Sequence, residues 1–337
     1  MKTILKLSLV TAAAFAISAS AGTLENVKKA GELKCGVSTG LPGFAEVGAD
    51  KKWKGMDVDM CRAVAAAVLG DSSKVKIVPL TAKERFTALQ SGEIDLLSRN
   101  TTWTQSRDTT LGVNFAGVNY YDGQGFLVNK RLGVDSAKQL DGASICITSG
   151  TTTELTLADY FKEHNMSYKP VTYDTAAQVR KGFEAGRCDL ITSDQSQLYA
   201  IRTQLANPND FKVLPEIISK EPLGPLVRQG DDAWFNVAKW SLNALITAED
   251  LGITSANAAS LAKTSKNPAI KRFLGVEGTL GKNLGLDAKW SNRIVTQVGN
   301  YSESFERNVG MGSPLKISRG LNALWKNGGI LYSAPFR

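Results

Sequence analysis

Short β-branched and apolar runs alternate with amphipathic stretches through the first two thirds of the chain. The runs at 33–37, 75–80, 94–97, 125–128, 144–148, 168–173, 189–192, 211–214 and 226–228 read as strands, and the stretches between them as helices. That alternation is the pattern of βαβ units around a mainly parallel sheet. Asp57 stands where it can cap a helix running through Met60, Cys61 and Val64. Thr152 with Glu154 opens another through Leu157, Tyr160 and Phe161. A long helix begins near Asp232, and its Trp234, Phe235 and Trp240 are expected to pack into a core.

The pattern repeats. ALQSGEIDLLS at 88–98 parallels GFEAGRCDLIT at 182–192, each reading helix, glycine stop, strand and polar end; the same offset carries Asn100 onto Asp194. A second echo sets KCGVSTG, 34–40, beside ICITSG, 145–150, each a strand that breaks into a small polar loop. Two similar α/β lobes follow, with polar loops at the carboxyl ends of their strands. Ligands of open parallel sheets bind outside those ends, so two lobes facing each other there enclose a cleft.

The first residues change where this fold is expected to work. Lys2 and Lys6 precede an apolar run that ends in Ala19-Ser20-Ala21, the pattern of a secretory signal cut after residue 21. Of 337 residues, 316 then remain, enough for two domains, and the formal charge falls from +8 to +6 as the two lysines leave. No later stretch approaches the roughly 20 apolar residues of a membrane span. No basic block is interleaved with aromatics, which argues against nucleic acid as a partner.

Four cysteines, at 35, 61, 146 and 188, in an exported chain favour disulfides. No Cys-x-x-Cys occurs and His164 is the only histidine, so neither a metal site nor a thiol redox motif is supported, and no cofactor is implied. Cys35 lies on a first strand and Cys61 on the helix that returns over it. Cys146 and Cys188 fall on neighbouring strands of the second lobe. The expected pairs are Cys35–Cys61 and Cys146–Cys188, one in each lobe, which leaves the lobes free to move against each other.

The polar loops carry the chemistry. Arg107 offers a planar fork of donors matched to a carboxylate, Thr102 adds a hydroxyl, and main-chain N–H groups near Asn100 serve the same anion. Ser149, Gly150, Thr151 and Thr152 place hydroxyls and N–H groups at a helix start, a second anion-binding feature. Across the cleft Asp194 can accept from an ammonium group, although it also suits the cap of the helix through Leu198 and Ile201. Together these groups fit a zwitterion.

The segments SRNTTWTQSRD, TSGTTTE, GRCDLITSDQSQLYA, LPEIISKEPLGP and GNYSESFERNVG give the chain a resemblance that covers essentially all of it after residue 21. It resembles the periplasmic amino-acid-binding proteins of ATP-driven (ABC) importers, solute-binding family 3, and most closely their general L-amino-acid-binding members. The resemblance implies a two-lobed, hinge-linked fold of type II, with 22–125 and 226–337 forming lobe 1 and a C-terminal extension, and 126–225 forming lobe 2. It places the crossings near 122–126 and 222–227 and wraps the tail from Tyr301 around lobe 1.

The resemblance also implies roles. Arg107 and Thr102, joined by the backbone at Gly150, Thr151 and Thr152, bind the α-carboxylate; Asp194 and the main chain at Asn100 bind the α-amino group. Arg85 matches an arginine that relatives selective for acidic amino acids turn toward the substrate side chain. Leu41 stands where many relatives carry an aromatic platform, with Phe44 three residues later, which suits a broad specificity. The implied partners are L-amino acids and an inner-membrane permease, and a periplasmic monomer is expected. Two other readings exist for such a cleft. One is a dehydratase-like enzyme, for which Glu154 and His164 are the nearby acid–base candidates. The other is a ligand-binding receptor for signalling.

Overall fold

The computed structural model describes residues 22–337, so the expected signal segment lies outside the described residues. Two five-stranded sheets of matching design organise the chain. In the first, Val75–Leu80, Leu33–Ser38 and Leu96–Leu97 run parallel, and Leu226–Arg228 then pairs antiparallel with Leu96–Leu97 and with Val113–Phe115. In the second, Lys169–Tyr173, Ser144–Thr148 and Leu190–Asp194 run parallel, followed by antiparallel Gln124–Asn129 and Phe211–Val213. The antiparallel fourth strand of each sheet is the one the chain enters on crossing from the other sheet.

The internal echo is a structural repeat. Helices Arg85–Ser91 and Ala176–Glu184 are each followed by a left-handed glycine, Gly92 at φ 80° and Gly186 at φ 69°, a conformation that a side chain disfavours. An aspartate then stitches the next strand to its parallel neighbour. Asp95 accepts from the Lys34 N–H at 3.0 Å, and Asp189 accepts from the Ser144 N–H at 2.7 Å. The same local chemistry therefore fixes the register of both sheets.

Most expected strands form within a residue or two of their bounds. The run at 94–97 shortens at its start to Leu96–Leu97, and the Ser98 N–H still reaches the neighbouring strand, donating to the Gly36 carbonyl at 2.9 Å. Not anticipated from the sequence are Val113–Phe115 and the antiparallel pair Tyr120–Asp122 and Glu221–Leu223, which forms the two-stranded ribbon between the sheets. Three-residue strands are too short to show an alternation.

Each sheet buries its own apolar layer. The first-lobe core gathers helix Met56–Leu69, helix Asp232–Asp250 and the C-terminal segment, with Trp234 1 % exposed. Trp234 Nε1 donates to the Asp95 carbonyl at 2.8 Å, so the buried indole has its polar atom satisfied. The tail is anchored twice. Asp59 Oδ2 accepts from Ser304, Arg307 and Asn308, each within 2.7 Å at its nearest donor, and Phe336 lies against Trp290, Trp240 and Phe273. Second-lobe packing centres on Phe126 and Phe161 on one face of the sheet and on Phe183 and Leu198 on the other.

Both disulfides pair as expected. Cys35–Cys61 joins Leu33–Ser38, the second strand in the order of the first sheet, to its covering helix, with Cα atoms 6.0 Å apart. Cys146–Cys188, at 5.6 Å, joins Ser144–Thr148, the second strand in the order of its sheet, to the turn before Leu190–Asp194. No described helix is long and apolar enough to cross a membrane.

Candidate functional site

The carboxyl ends of the two parallel layers face each other and close on a narrow cleft of about 30 Å3. On the first-lobe wall stand Ser38, Arg85, Arg99, Asn100 and Thr102; opposite them are Thr148, Thr151, Thr152, Thr153, Ser193, Asp194 and Gln197. The lobes touch directly here. Thr102 Oγ1 and Thr152 Oγ1 are 3.3 Å apart, Arg85 Nη2 lies 3.4 Å from the Gly150 carbonyl, and Lys83 Nζ pairs with Asp174 at 2.9 Å on the rim. A larger hollow of about 240 Å3 lies beneath the C-terminal tail, but it is lined mostly by Trp325, Tyr332 and other apolar groups, and its Asp250 is already paired with Lys326. Convergent charge, and not volume, marks the cleft as the site.

The first-lobe loop is shaped by a carboxylate whose sequence context suggested another role. Asp57 is not the cap of its helix, which starts after Gly55; it is fully buried and supports the loop from below. Its Oδ2 accepts from the Asn100 N–H at 2.9 Å and its Oδ1 from Ser98 Oγ at 3.2 Å. Asn100 is held at φ 33°, a left-handed conformation that asparagine tolerates better than most residues. Thr101 and Trp103 then bond to the ribbon, accepting from the Gly224 N–H and donating to the Pro222 carbonyl through main-chain groups. Thr102 is thereby fixed at the cleft.

Burial pushes the Asp57 carboxyl from 3.8 up to about 6, against hydrogen bonds from Asn100 and Ser98 and the charge of Arg99. Unfolded Asp57 ionises near 3.8, whereas the folded group holds its proton until about pH 6. Its contribution to stability is therefore fully present below about pH 4 and lost as pH rises through 6. Denaturant midpoints measured at pH 4 and pH 6.5 should show a smaller decline with rising pH for Asp57→Asn than for the parent protein.

Three guanidinium groups crowd the first-lobe wall. Arg85 opens helix Arg85–Ser91, is 2 % exposed and lies over the Phe86 ring at 4.8 Å. Its Nη1 and Nη2 reach only long contacts of 3.4 Å, to Thr101 and Gly150, and its Nε has no partner. Burial, then the charges of Arg99 and Arg107, hold its pKa well below the ordinary arginine value. Arg99 is held by Nε on the Leu80 carbonyl at 3.0 Å, and burial lowers it to about 10 although Asp57 favours its charge. Arg107 stands just behind the lining, over Phe86 at 5.4 Å with Nη1 on the Thr102 carbonyl at 2.9 Å. Buried cations without a paired carboxylate are costly and suit a site that receives an anion.

The second-lobe wall supplies helix starts and a carboxylate. Thr151 is the N-cap residue of helix Thr152–Glu163 but makes no side-chain cap bond; its hydroxyl donates to the Thr148 carbonyl at 2.7 Å. The first amides of that helix are thus left without an intrahelical acceptor. Gly150, at φ 74°, gives its own N–H to Glu154 at 2.7 Å, which removes both Glu154 and that N–H from the cleft. Asp194 holds the N-cap position of helix Gln195–Thr203 without capping it. Its 5 % exposed carboxylate meets only the Gln197 amide, at 3.5 Å. Burial and the neighbouring charges of Asp122 and Glu221 raise Asp194 well above the carboxylate range, while Arg85 and Arg107 pull the other way.

Of the residues expected at the site, Arg85, Asn100, Thr102, Thr151, Thr152 and Asp194 come together in the lining, and Gly150 contributes its carbonyl to Arg85. Phe44 does not reach the cleft: it is 1 % exposed in the first-lobe core, edge-on to Tyr120 at 5.2 Å. His164 lies at the far end of its helix, its Nδ1 2.9 Å from the Tyr160 carbonyl oxygen. Sequence reasoning missed Arg99, Gln197 and, on the ribbon, Glu221 and Asp122. Asp122 is pushed from 3.8 up to about 6, by burial first and by Glu221 in part. Arg99 does carry a sequence signal, an arginine two residues after a buried strand in a loop otherwise of hydroxyls and amides.

Residues 33–252 match the family of bacterial extracellular solute-binding proteins, family 3. Among the relatives is the general L-amino acid-binding periplasmic protein AapJ of Rhizobium johnstonii, 58% identical over the whole of both chains. The glutamate/glutamine/aspartate/asparagine-binding protein BztA of Rhodobacter capsulatus is 54% identical across 98% of each chain. A solved structure of an ABC transporter periplasmic binding protein from Brucella ovis with glutathione bound superposes with a TM-score of 0.92 at 57% identity, covering 94% of this chain and 100% of that one. The chain, with two sheets that face each other across a charged cleft and a ribbon between them, belongs to family 3 of the bacterial extracellular solute-binding proteins.

Proposed function

We propose that the protein binds L-amino acids of varied side chain in the periplasm and delivers them to an ABC-type permease, acting as a monomer that closes its lobes around the zwitterion. The observation that carries this reading is the opposition of charge across the cleft, three guanidiniums on the first-lobe side and the uncapped Asp194 on the second. Residues 22–125 and 226–337 form one lobe and 126–225 the other, and they swing about the ribbon of Tyr120–Asp122 and Glu221–Leu223. Arg107, Thr102 and the amides at the start of helix Thr152–Glu163 hold the α-carboxylate; Asp194 and the Asn100 carbonyl hold the ammonium group. A ligand that touches both lobes favours closure by its differential contacts.

The names of the relatives agree in amino acids and differ in breadth, and the glutathione-bound neighbour adds a peptide-like ligand. Binding without turnover is favoured over the dehydratase reading, since Glu154 is tied to Gly150 and His164 is far from the lining. The test is isothermal titration of refolded, ligand-stripped protein with a panel of L-amino acids and glutathione, with Arg107→Ala as control. Tight binding of several chemically different amino acids, lost in the control, supports the reading; binding of none of them, or continuing heat from turnover, overturns it.

Arg85 has no strong partner in the protein, and it is proposed to receive an acidic side chain. Arg85→Ala is expected to weaken glutamate and aspartate about tenfold more than leucine or alanine, the value of one charge-assisted hydrogen bond. Equal losses across the panel would remove that role.

A further inference from the structure

Glu221 occupies the first position of its ribbon strand and is 2 % exposed, yet nothing in the binding scheme uses it. Its Oε2 accepts from Thr102 Oγ1 of the first lobe at 2.5 Å and from Thr152 Oγ1 of the second at 3.0 Å, while Oε1 accepts from Ser219 Oγ at 2.6 Å. A single buried carboxylate thus joins both walls of the cleft from the hinge between them. An ionised carboxylate can only accept, and a threonine hydroxyl carries one proton with two acceptor lone pairs. Both threonines therefore commit their protons to Glu221 and turn lone pairs elsewhere. Their oxygens lie 3.3 Å apart with no proton left to share between them.

We propose that Glu221 is a positioning residue that makes the Thr102 and Thr152 hydroxyls acceptors on the cleft side, so that they receive the ligand's ammonium group beside Asp194. The inference rests on the amino-acid reading above and changes its detail, since the two hydroxyls then do not donate to the α-carboxylate. If they turned to do so, Glu221 Oε2 would be left buried and charged without its donors, a cost that hydrogen bonds to the ligand would not offset. Charge favours the same orientation. Glu221, Asp122 and Asp194 gather at the hinge end of the cleft, where each carboxylate raises the potential energy of a second anion and lowers that of a cation. Arg85 and Arg99 form the opposite pole on the first-lobe wall, and main-chain N–H groups of Thr102 and Thr152 remain for the carboxylate.

The experiment compares L-glutamate with glutarate, which has the same two carboxylates and no ammonium group, titrated into the refolded protein directly or by displacement. Glu221→Ala frees both hydroxyls to turn and donate, so the preference for glutamate over glutarate should fall about tenfold or more, whatever happens to the absolute affinity. Glu221→Gln keeps an oxygen that accepts from both threonines, with Ser219 turning to accept from the amide, and should hold the preference within about threefold of the parent. Should Glu221→Ala fail to fold, Thr152→Val deletes one acceptor and should weaken glutamate while leaving glutarate within about twofold. Loss of both ligands by the same factor in Glu221→Ala or Thr152→Val would reduce Glu221 to a structural brace and overturn the proposal. So would a loss of preference in Glu221→Gln as large as in Glu221→Ala, which would assign the effect to charge alone. A parent protein that binds neither ligand nor any other amino acid overturns the functional reading itself, and this inference with it.

Discussion

Asp194→Ala is expected to weaken every L-amino acid by on the order of 2 to 5 kcal/mol, about 30-fold at the least, because the cleft loses its uncapped carboxylate while the ligand's ammonium group is still desolvated. The loss should be uniform across side chains, since the ammonium group is common to all of them. A distinctive pH dependence belongs to the same residue. Burial and two neighbouring carboxylates favour the protonated form of Asp194 in the free protein, and an arriving ammonium group reverses that preference. Binding should therefore release a proton, and affinity should rise with pH over the range in which free Asp194 ionises. Titration in buffers of different ionisation enthalpy measures the released proton directly; Asp194→Ala should abolish it. A variant that retains parent affinity for several amino acids would remove Asp194 from the site.

Loss of a disulfide is the largest stability effect expected. Cys35 and Cys61 are 26 residues apart and Cys146 and Cys188 are 42 apart, so each cross-link restricts the unfolded chain by about 3–4 kcal/mol in the chain-entropy account. Paired Cys→Ser replacements should lower the denaturant midpoint in either lobe. Neither bridge crosses the cleft, so amino-acid affinity measured under native conditions should stay close to the parent value. A double variant that keeps its stability but loses binding would show that the bridge shapes the site and not merely its own lobe.

Two features connect these effects to the fold. An inner strand of each sheet, second from its edge, carries a cysteine, and the same strand ends a few residues later in the loop that faces the cleft: Cys35 precedes Ser38, and Cys146 precedes Thr148. Rigid sheets thus hold the site from behind, while the ribbon between them is only three residues long on each side. The thin connection permits relative movement, and Glu221 places a hydrogen-bonding group against both walls.

Much of this was legible in the residues. Periods of two and of about 3.6 report burial, and burial is decided locally by each sheet, so strands such as 75–80 and 144–148 were readable to the residue. Glycine stops at Gly92 and Gly186 mark helix ends for a backbone reason that needs no tertiary contact. The echo around Asp95 and Asp189 disclosed two lobes, and the cysteine positions within those lobes fixed the disulfide pairs. Only the packed molecule could decide the polar partners. Asp57 has the sequence context of a helix cap but reaches 43 residues along the chain to Asn100, and Glu221 bonds threonines 119 and 69 residues away. Asp194 sits where a cap belongs and leaves the cap unmade. A carboxylate before a helix has the same local signature whether it caps, braces a loop or faces a ligand. Its choice is set by which donors the two lobes bring within about 3 Å, a property of their packing and not of any neighbouring run of sequence.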